Sequence, residues 1–460
     1  MVRNWSKYLV RTQTQDEDLT KLAARSGTAL NGTISVPGDK SISHRALMIG
    51  AVAVGSTKVC GLLESEDVLR TADALRALGV SIDKSGESWV VDGVGVGGLT
   101  SPEDVLDLGN SGTAARLLLG LMASHDLKAY VTGDRSLRSR PMDRVIDPLS
   151  RCGAVFDFTD EERMPMVVYG AAEPIPIDYD VPVPSAQVKS SILFSGLNTP
   201  GTTTVREREA TRDHTENMLR AFGAELEIVP VGNGGRYISL HGYAELEAQE
   251  ISIPGDPSSA AFPGVAALVV PGSEIIIKNV GINPLRAGLF QTLKEMGANI
   301  EMNNMRKTVG EPIADMSFRY GPLTGVDVPA TRSPSMIDEY PIAAIAAAVA
   351  SGETRFRGIS ELRVKESDRF TAIVDGLTAC GVPVRSEGDD IVVTGLSGLL
   401  PGGAEINVNL DHRIAMTYLV MGLVSEKPVV IDDADVIDTS FPGFLGLMTG
   451  LGADIAPFGA

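Results

Sequence analysis

The sequence predicts an α/β protein built from six copies of one unit, grouped as two lobes of three whose helix starts converge on the cleft between them. Three observations lead to this reading. A glycine-centred pattern occurs six times, six strongly apolar helices are each opened by small polar residues, and a Pro-Gly-Asp segment occurs twice.

The glycine pattern is a helix end, then Gly, a small residue and an alternating strand. It runs through Arg76–Asp83, Ser150–Asp157, Arg220–Glu227, Lys294–Glu301, Thr378–Arg385 and Thr449–Ala456. Gly79, Gly153, Gly223, Gly297, Gly381 and Gly452 each hold the place of a left-handed residue just past a helix. Their spacing of roughly 70 to 85 residues makes each copy a supersecondary block, larger than a solenoid repeat.

Each block carries an earlier helix. The six openings are Asp39-Lys-Ser-Ile-Ser, Gly109-Asn-Ser-Gly-Thr, Pro184-Ser-Ala-Gln, Gly255-Asp-Pro-Ser-Ser, Pro334-Ser-Met-Ile-Asp and Leu410-Asp-His-Arg. Bodies such as Leu117–Met122 and Ile342–Val349 are apolar nearly all round, the mark of buried helices. β-branched strands follow turns at Gly201–Val205 and Ser273–Ile277. Val36-Pro-Gly-Asp-Lys-Ser41 returns as Ile253-Pro-Gly-Asp-Pro-Ser258 at the start of the first and fourth units. Pro fixes φ and Gly tolerates unusual angles, so the pair suits two adjacent crossings between lobes. The expected division is an N-terminal extension at 1–30, a first lobe at 38–254 and a second lobe at 31–37 plus 255–460.

Around Lys40 the chain reads as strand, tight turn and helix start. Lys40, Ser41 and Arg45 then sit where free N–H groups and the positive helix end would meet an anion. Taken alone, the stretch fits a capped surface helix with two solvated cations equally well. Composition narrows the partners. The net charge of −19 argues against nucleic acid and anionic membranes. No apolar run approaches the ~20 residues of a membrane span. Three widely spaced cysteines, with no metal-type spacing, fit a reducing cytoplasm. The segment up to about Thr28 lacks the apolar stretch of a signal peptide and reads as a mobile tail or a short surface extension.

Gly38–Arg45, Gly109–Thr113, Arg363-Val-Lys-Glu-Ser-Asp-Arg369 and Asp411-His-Arg-Ile-Ala-Met416 resemble the signature segments of the 3-phosphoshikimate 1-carboxyvinyltransferase (EPSP synthase) family. The likeness runs from about Gly32 to about Gly452. Ser185-Ala-Gln-Val-Lys189 and Thr211-Arg-Asp-His-Thr-Glu216 look like the second bacterial class. The family fold has three βαβαββ units per lobe, in agreement with the six copies. The implied reaction moves the enolpyruvyl group of phosphoenolpyruvate onto the 5-hydroxyl of shikimate 3-phosphate, releasing phosphate. It belongs to the shikimate pathway to chorismate and the aromatic amino acids, and implies no metal or cofactor.

By the same resemblance, Lys40 contacts both substrates. Ser41, Arg45, Ser185, Gln187, Arg212, Asp338 and Lys365 hold shikimate 3-phosphate. Asn110, Gly112, Arg140, Gln187, Arg369 and Arg413 form the phosphoenolpyruvate site. Asp338 accepts the 5-hydroxyl proton, and Glu366 with Lys40 manages the proton at the methylene carbon. Both substrates are polyanions, so gathered Arg and Lys are what the chemistry requires. Gly112 leaves room for glyphosate, an inhibitor longer than phosphoenolpyruvate. Thr439 stands where many members have a Lys that reaches phosphoenolpyruvate, so that contact is not carried over. Cations of both lobes are expected to repel across an empty cleft. A monomer is expected.

Other residues have quieter readings. Cys152 and Cys380 occupy a core position of the repeat, and Cys60 lies in a strand. His44 and His412 pack or hydrogen-bond beside the site, and Asp432-Asp433 is a turn. Three rivals remain. A UDP-N-acetylglucosamine enolpyruvyltransferase usually has a reactive Cys where this chain reads Asp134-Arg-Ser-Leu-Arg-Ser-Arg-Pro141. An RNA 3′-phosphate cyclase needs an electropositive surface. A non-catalytic sugar-phosphate-binding homologue is disfavoured by Asp338, Glu366 and Lys40.

Overall fold

The computed structural model describes residues 20–159, 162–232 and 234–459. Among these, the strands form six four-stranded sheets and one two-stranded pair. In the third sheet the spatial order is Asp178–Asp180, Thr202–Glu207, Gly235–His241, Leu226–Val231. The first two strands are parallel and the others antiparallel. A parallel pair needs a crossover, which the buried helix Ala186–Leu197 supplies. Helix His214–Ala221 then leads into the closing hairpin, completing a βαβαββ unit.

Strand exchange ties the ends of the lobes together. Asn31–Ser35 pairs in parallel with Glu274–Gly281, although the chain between them builds the other lobe. Glu250–Ser252 likewise returns to pair with Val54–Cys60. The sixth sheet is completed from the N-terminus. Leu22–Arg25 lies antiparallel between Val429–Ile431 and Asp454–Pro457. This corrects the reading of 1–30 as a surface extension. Leu22, Ala23 and Ala24 are buried, and their alanines are small because helix His412–Gly422 crosses closely: a Cβ on Gly422 would meet Ala24 at 2.6 Å. Four residues of mixed neighbours carry too little periodicity to announce an interior strand. Residues 1–19 of that expected extension lie outside the described residues.

Two hydrophobic cores result, one drawn from residues 42–253 and one from 22–36 with 260–455. The crossings between them are joined to each other. The Asp39 N–H donates to the Pro254 carbonyl at 2.7 Å, and the Asp256 N–H to the Pro37 carbonyl at 2.9 Å. Gly38 cannot carry a side chain there, because a Cβ would overlap the Gly61 carbonyl oxygen. The six helix-terminating glycines all have φ between +76° and +108°, as their pattern predicted.

Five of the six expected helix openings coincide with helix N-termini, where Asp39, Ser111, Ser185, Asp256 and Asp411 accept N–H groups of the first turn. The fifth differs. Pro334–Asp338 lies in a short helix, Ser333–Met336, and the turn after it, and the buried helix is Tyr340–Val349. The cysteine readings hold: Cys152 and Cys380 are buried, and Cys60 ends strand Val54–Cys60.

Candidate active site

The opening residues of five of the six buried helices, with Pro334 and Asp338 from the segment before the fifth, line one cavity of about 580 Å³ between the lobes. Helix N-termini present unpaired N–H groups and a partial positive charge, so their convergence favours anionic ligands before any side chain is counted. The side chains add to it. Lys40, Ser41, Arg45, Asn110, Gly112, Arg140, Ser185, Gln187 and Arg212 contribute from the first lobe, and Asp338, Lys365, Glu366 and Arg413 from the second.

In the first lobe, Arg45 is nearly fully buried. It donates to Thr215 Oγ1 at 2.7 Å, Ser190 Oγ at 2.9 Å and the Ser41 carbonyl at 2.9 Å. Burial lowers its pKa to about 10. Arg140 donates to the Asn110 side chain and to Ser136 Oγ at 3.1 Å, which locks it over the Gly112 helix start. Its Nε is buried, with no acceptor among the described residues. The Lys40 ammonium pairs with Asp67, while its backbone N–H donates to Asp256 Oδ2 at 3.1 Å across the crossing.

The second lobe supplies Asp338 and Glu366. Asp338 Oδ2 meets Arg212 at 2.7 Å across the cleft, Oδ1 meets Arg369 at 3.4 Å, and its backbone carbonyl accepts from Arg413 at 3.3 Å. Burial pushes the Asp338 carboxyl upward, but Arg212, Arg413, Arg286 and Arg369 outweigh it and hold it well below the usual carboxylate range. Glu366 meets Arg369 Nη2 at 2.7 Å. Burial again opposes ionisation, and Arg369, His412 and Arg140 again prevail, so this carboxyl also lies low. Lys365 is lowered by burial, against the pull of Asp338, Glu366 and Glu361.

All expected site residues reach the cavity wall except Arg369. Arg369 is fully buried behind it, bidentate to Asp411 at 2.8 and 3.2 Å, and joined to Glu366 and Asp338. Three carboxylates have drawn its guanidinium inward. Besides the cations of both lobes that line the cavity, Arg212–Asp338 and Arg144–Glu361 (3.5 Å) are attractive pairs across the cleft.

Several residues went unread in the sequence. Arg116 donates to Gln187 Oε1 at 2.8 Å. It lies one turn beyond Gly112 on the same helix face, a spacing that could have pointed to it. Asp67 and the buried pair Arg286–Glu339 (2.8 Å) come from distant segments and left no local signal. His412 lines the cavity with its pKa down to about 3, through burial and then Arg413, and His44 is buried against Thr71. Thr439 reaches the wall without a charge, donating to the Val436 carbonyl at 2.6 Å.

Residues 24–448 match the family model described as EPSP synthase (3-phosphoshikimate 1-carboxyvinyltransferase). The chain is 58% identical over 436 residues to the 3-phosphoshikimate 1-carboxyvinyltransferase of Paramagnetospirillum magneticum, covering 95% of this chain and 98% of that one. It is 59% identical over 432 residues to that of Granulibacter bethesdensis, covering 94% and 95%. Among solved structures, an EPSP synthase from Acinetobacter baumannii superposes with a TM-score of 0.85 at 42% identity, covering 95% of this chain and 99% of that one. The enolpyruvyl transferase NikO from Streptomyces tendae shares the fold, with a TM-score of 0.75 at 19% identity and the same coverage.

Proposed function

The chain belongs to the EPSP synthase family, and from that premise we propose how its cleft residues share the work. The enzyme transfers the enolpyruvyl group of phosphoenolpyruvate to the 5-hydroxyl of shikimate 3-phosphate. In our assignment Ser41, Arg45, Ser185, Gln187, Arg212 and Lys365 hold the sugar phosphate. Asn110, Gly112, Arg140 and Arg413 hold phosphoenolpyruvate, and Lys40 touches both. The buried Nε groups of Arg140 and Arg413, which lack acceptors among the described residues, support the second group. Arg369 joins that group only if it lets go of Asp338 or Glu366, so we assign it first to holding those carboxylates in place.

The observation that carries the assignment is a pair of ionised carboxylates, Asp338 and Glu366, set among cations in a cavity that both lobes line. Asp338 takes the 5-hydroxyl proton as the oxygen bonds to C2 of phosphoenolpyruvate, and Lys40 protonates C3. Elimination then removes a C3 proton, with Glu366 or Lys40 as base, and the C2–O bond to phosphate breaks. A carboxylate held this low is a weak base. The anions of shikimate 3-phosphate compete for Arg212, however, and loosening that pair raises the proton affinity of Asp338 when it is needed. The stretch Arg135–Arg140 offers an arginine anchored on Asn110 where the UDP-sugar enzymes carry their cysteine, which favours shikimate 3-phosphate. We further propose lobes at 38–254 and at 22–37 with 255–459, the second enlarged by the strand Leu22–Arg25, action as a monomer because one chain lines the whole cavity, and a cytoplasmic setting.

Asp338→Asn tests the scheme. Turnover should fall severely while shikimate 3-phosphate binding stays within about tenfold, because shape and most donors survive. Near-normal turnover would remove Asp338 from the role of base.

A further inference from the structure

Two ends of the second-class segments have no place in the assignment above: Lys189, which closes Ser185–Lys189, and Glu216, which closes Thr211–Glu216. The fold brings them together. Lys189 has no solvent-exposed side-chain surface, and its ammonium lies 2.8 Å from Glu216 Oε1 and 3.0 Å from Glu207 Oε2. A third contact is the informative one: Lys189 donates to the backbone carbonyl of Thr211 at 3.3 Å. The Thr211 hydroxyl in turn donates to Glu207 Oε1. Thr211 is thus held from its backbone and from its side chain. The next residue is Arg212, which crosses the cleft to Asp338.

The same cluster backs Arg45. Ser190, beside Lys189, and Thr215, beside Glu216, are the two hydroxyls to which Arg45 donates, and they hydrogen-bond each other at 2.7 Å. A buried ion-pair cluster is costly to desolvate, and apolar residues of similar volume would fill the space at least as stably. What an apolar filling cannot supply is a donor for the Thr211 carbonyl.

We propose that Lys189, with Glu207 and Glu216, is a positioning cluster that sets the reach of Arg212 and so the enzyme's grip on shikimate 3-phosphate. It touches no substrate. Glu207 ends strand Thr202–Glu207 and Glu216 lies in the first turn of helix His214–Ala221, so the cluster pins both ends of the loop that carries Arg212. The proposal rests on the assignment of Arg212 to shikimate 3-phosphate.

The test is a kinetic cycle on the intact enzyme. Lys189→Met alone would strand two buried carboxylates, so it is combined with Glu207→Gln and Glu216→Gln; Thr211→Val, which keeps every charge, is the second probe. Thermal melting confirms that each is folded. In both, KM for shikimate 3-phosphate should rise about tenfold, and KM for phosphoenolpyruvate should change less than about twofold. In an Arg212→Ala background the same changes should add nothing further. A merely structural role would lower the active fraction and leave both KM values in place. An unchanged KM for shikimate 3-phosphate in folded variants, or effects that add to Arg212→Ala, would overturn the proposal. If Arg212→Ala by itself leaves that KM unchanged, the assignment of Arg212 falls, and this proposal with it.

Discussion

At Gly112, proposed above to hold phosphoenolpyruvate, the width of the cavity rests on a missing methyl group. A Cβ there would lie 2.9 Å from Arg140 Nη1 and 3.1 Å from Arg116 Nη1, so the wall is two guanidinium groups rather than apolar packing. Guanidinium ends can give way, at a cost to the contacts they make. Glyphosate should therefore inhibit the enzyme in competition with phosphoenolpyruvate. Gly112→Ala should raise its inhibition constant roughly ten- to a hundredfold, and raise KM for the shorter substrate by less. Steady-state inhibition of both forms decides this, and equal rises would mean that the methyl acts only by displacing Arg140. Lys40, Gly112 and Arg413 are legible in the sequence because each sits in a local motif at a helix start. Asp67 and Glu339 are not, since their partners Lys40 and Arg286 are 27 and 53 residues away in a chain whose path had yet to be known.

At the scale of single elements, the glycine after each second helix is a conformational requirement with a measurable cost. Gly223 has φ +97°, and a Cβ on it would meet nothing closer than the Glu245 carbonyl at 3.8 Å. Gly223→Ala should thus cost only the left-handed conformation, about 1–2 kcal/mol, without changing KM for either substrate. Gly79→Ala should cost more, because its Cβ would also press on Thr100 Oγ1 at 2.8 Å. Urea unfolding of the two variants checks the order, and equal losses would refute the steric part. The fifth buried helix shows where element-level reading stops. Its N-cap residue, Glu339, makes no capping bond, because its carboxylate serves Arg286 at 2.8 Å and Arg413 at 3.4 Å. Local propensity could not foresee that a cap would yield to a cation from another segment.

Across the whole molecule the lobes are also joined by a buried cluster behind His214, which itself lines the cavity. Glu311 accepts from Asn217 at 3.0 Å, from Asn283 at 2.9 Å, and lies 3.0 Å from His214 Nδ1. Asn283 reaches back to Asp213 at 2.7 Å. Burial pushes the Glu311 carboxyl up, but His214, Asn217 and Asn283 bring it down to about 2. A carboxyl that falls from 4.5 on folding adds stability that is complete above pH 4.5 and is lost as pH drops towards 2, about 3 kcal/mol in all. Glu311→Gln should accordingly lower the urea midpoint at pH 7, and its deficit against the parent should shrink below pH 4.5. A deficit of the same size at pH 7 and pH 3 would show that Glu311 is not held ionised by this contact.

The six-unit α/β repeat, the helix-ending glycines, the paired crossings and the gathering of cations at helix starts were all determined by the sequence alone. Each is a short-range pattern, set by backbone conformation or by the spacing of apolar residues, and so survives being read along a line. The tertiary structure alone decided the rest. Ala23 and Ala24 are interior strand only because Val429–Ile431 and Asp454–Pro457 leave a gap for them. Arg369 turns away from the cavity only because Asp411, Glu366 and Asp338 meet behind it. Lys189 can steady Arg212 only because two helices and a strand end close on one buried point. Pairings between charges fall off with distance in space and take no account of distance along the chain, so they had to wait for the fold.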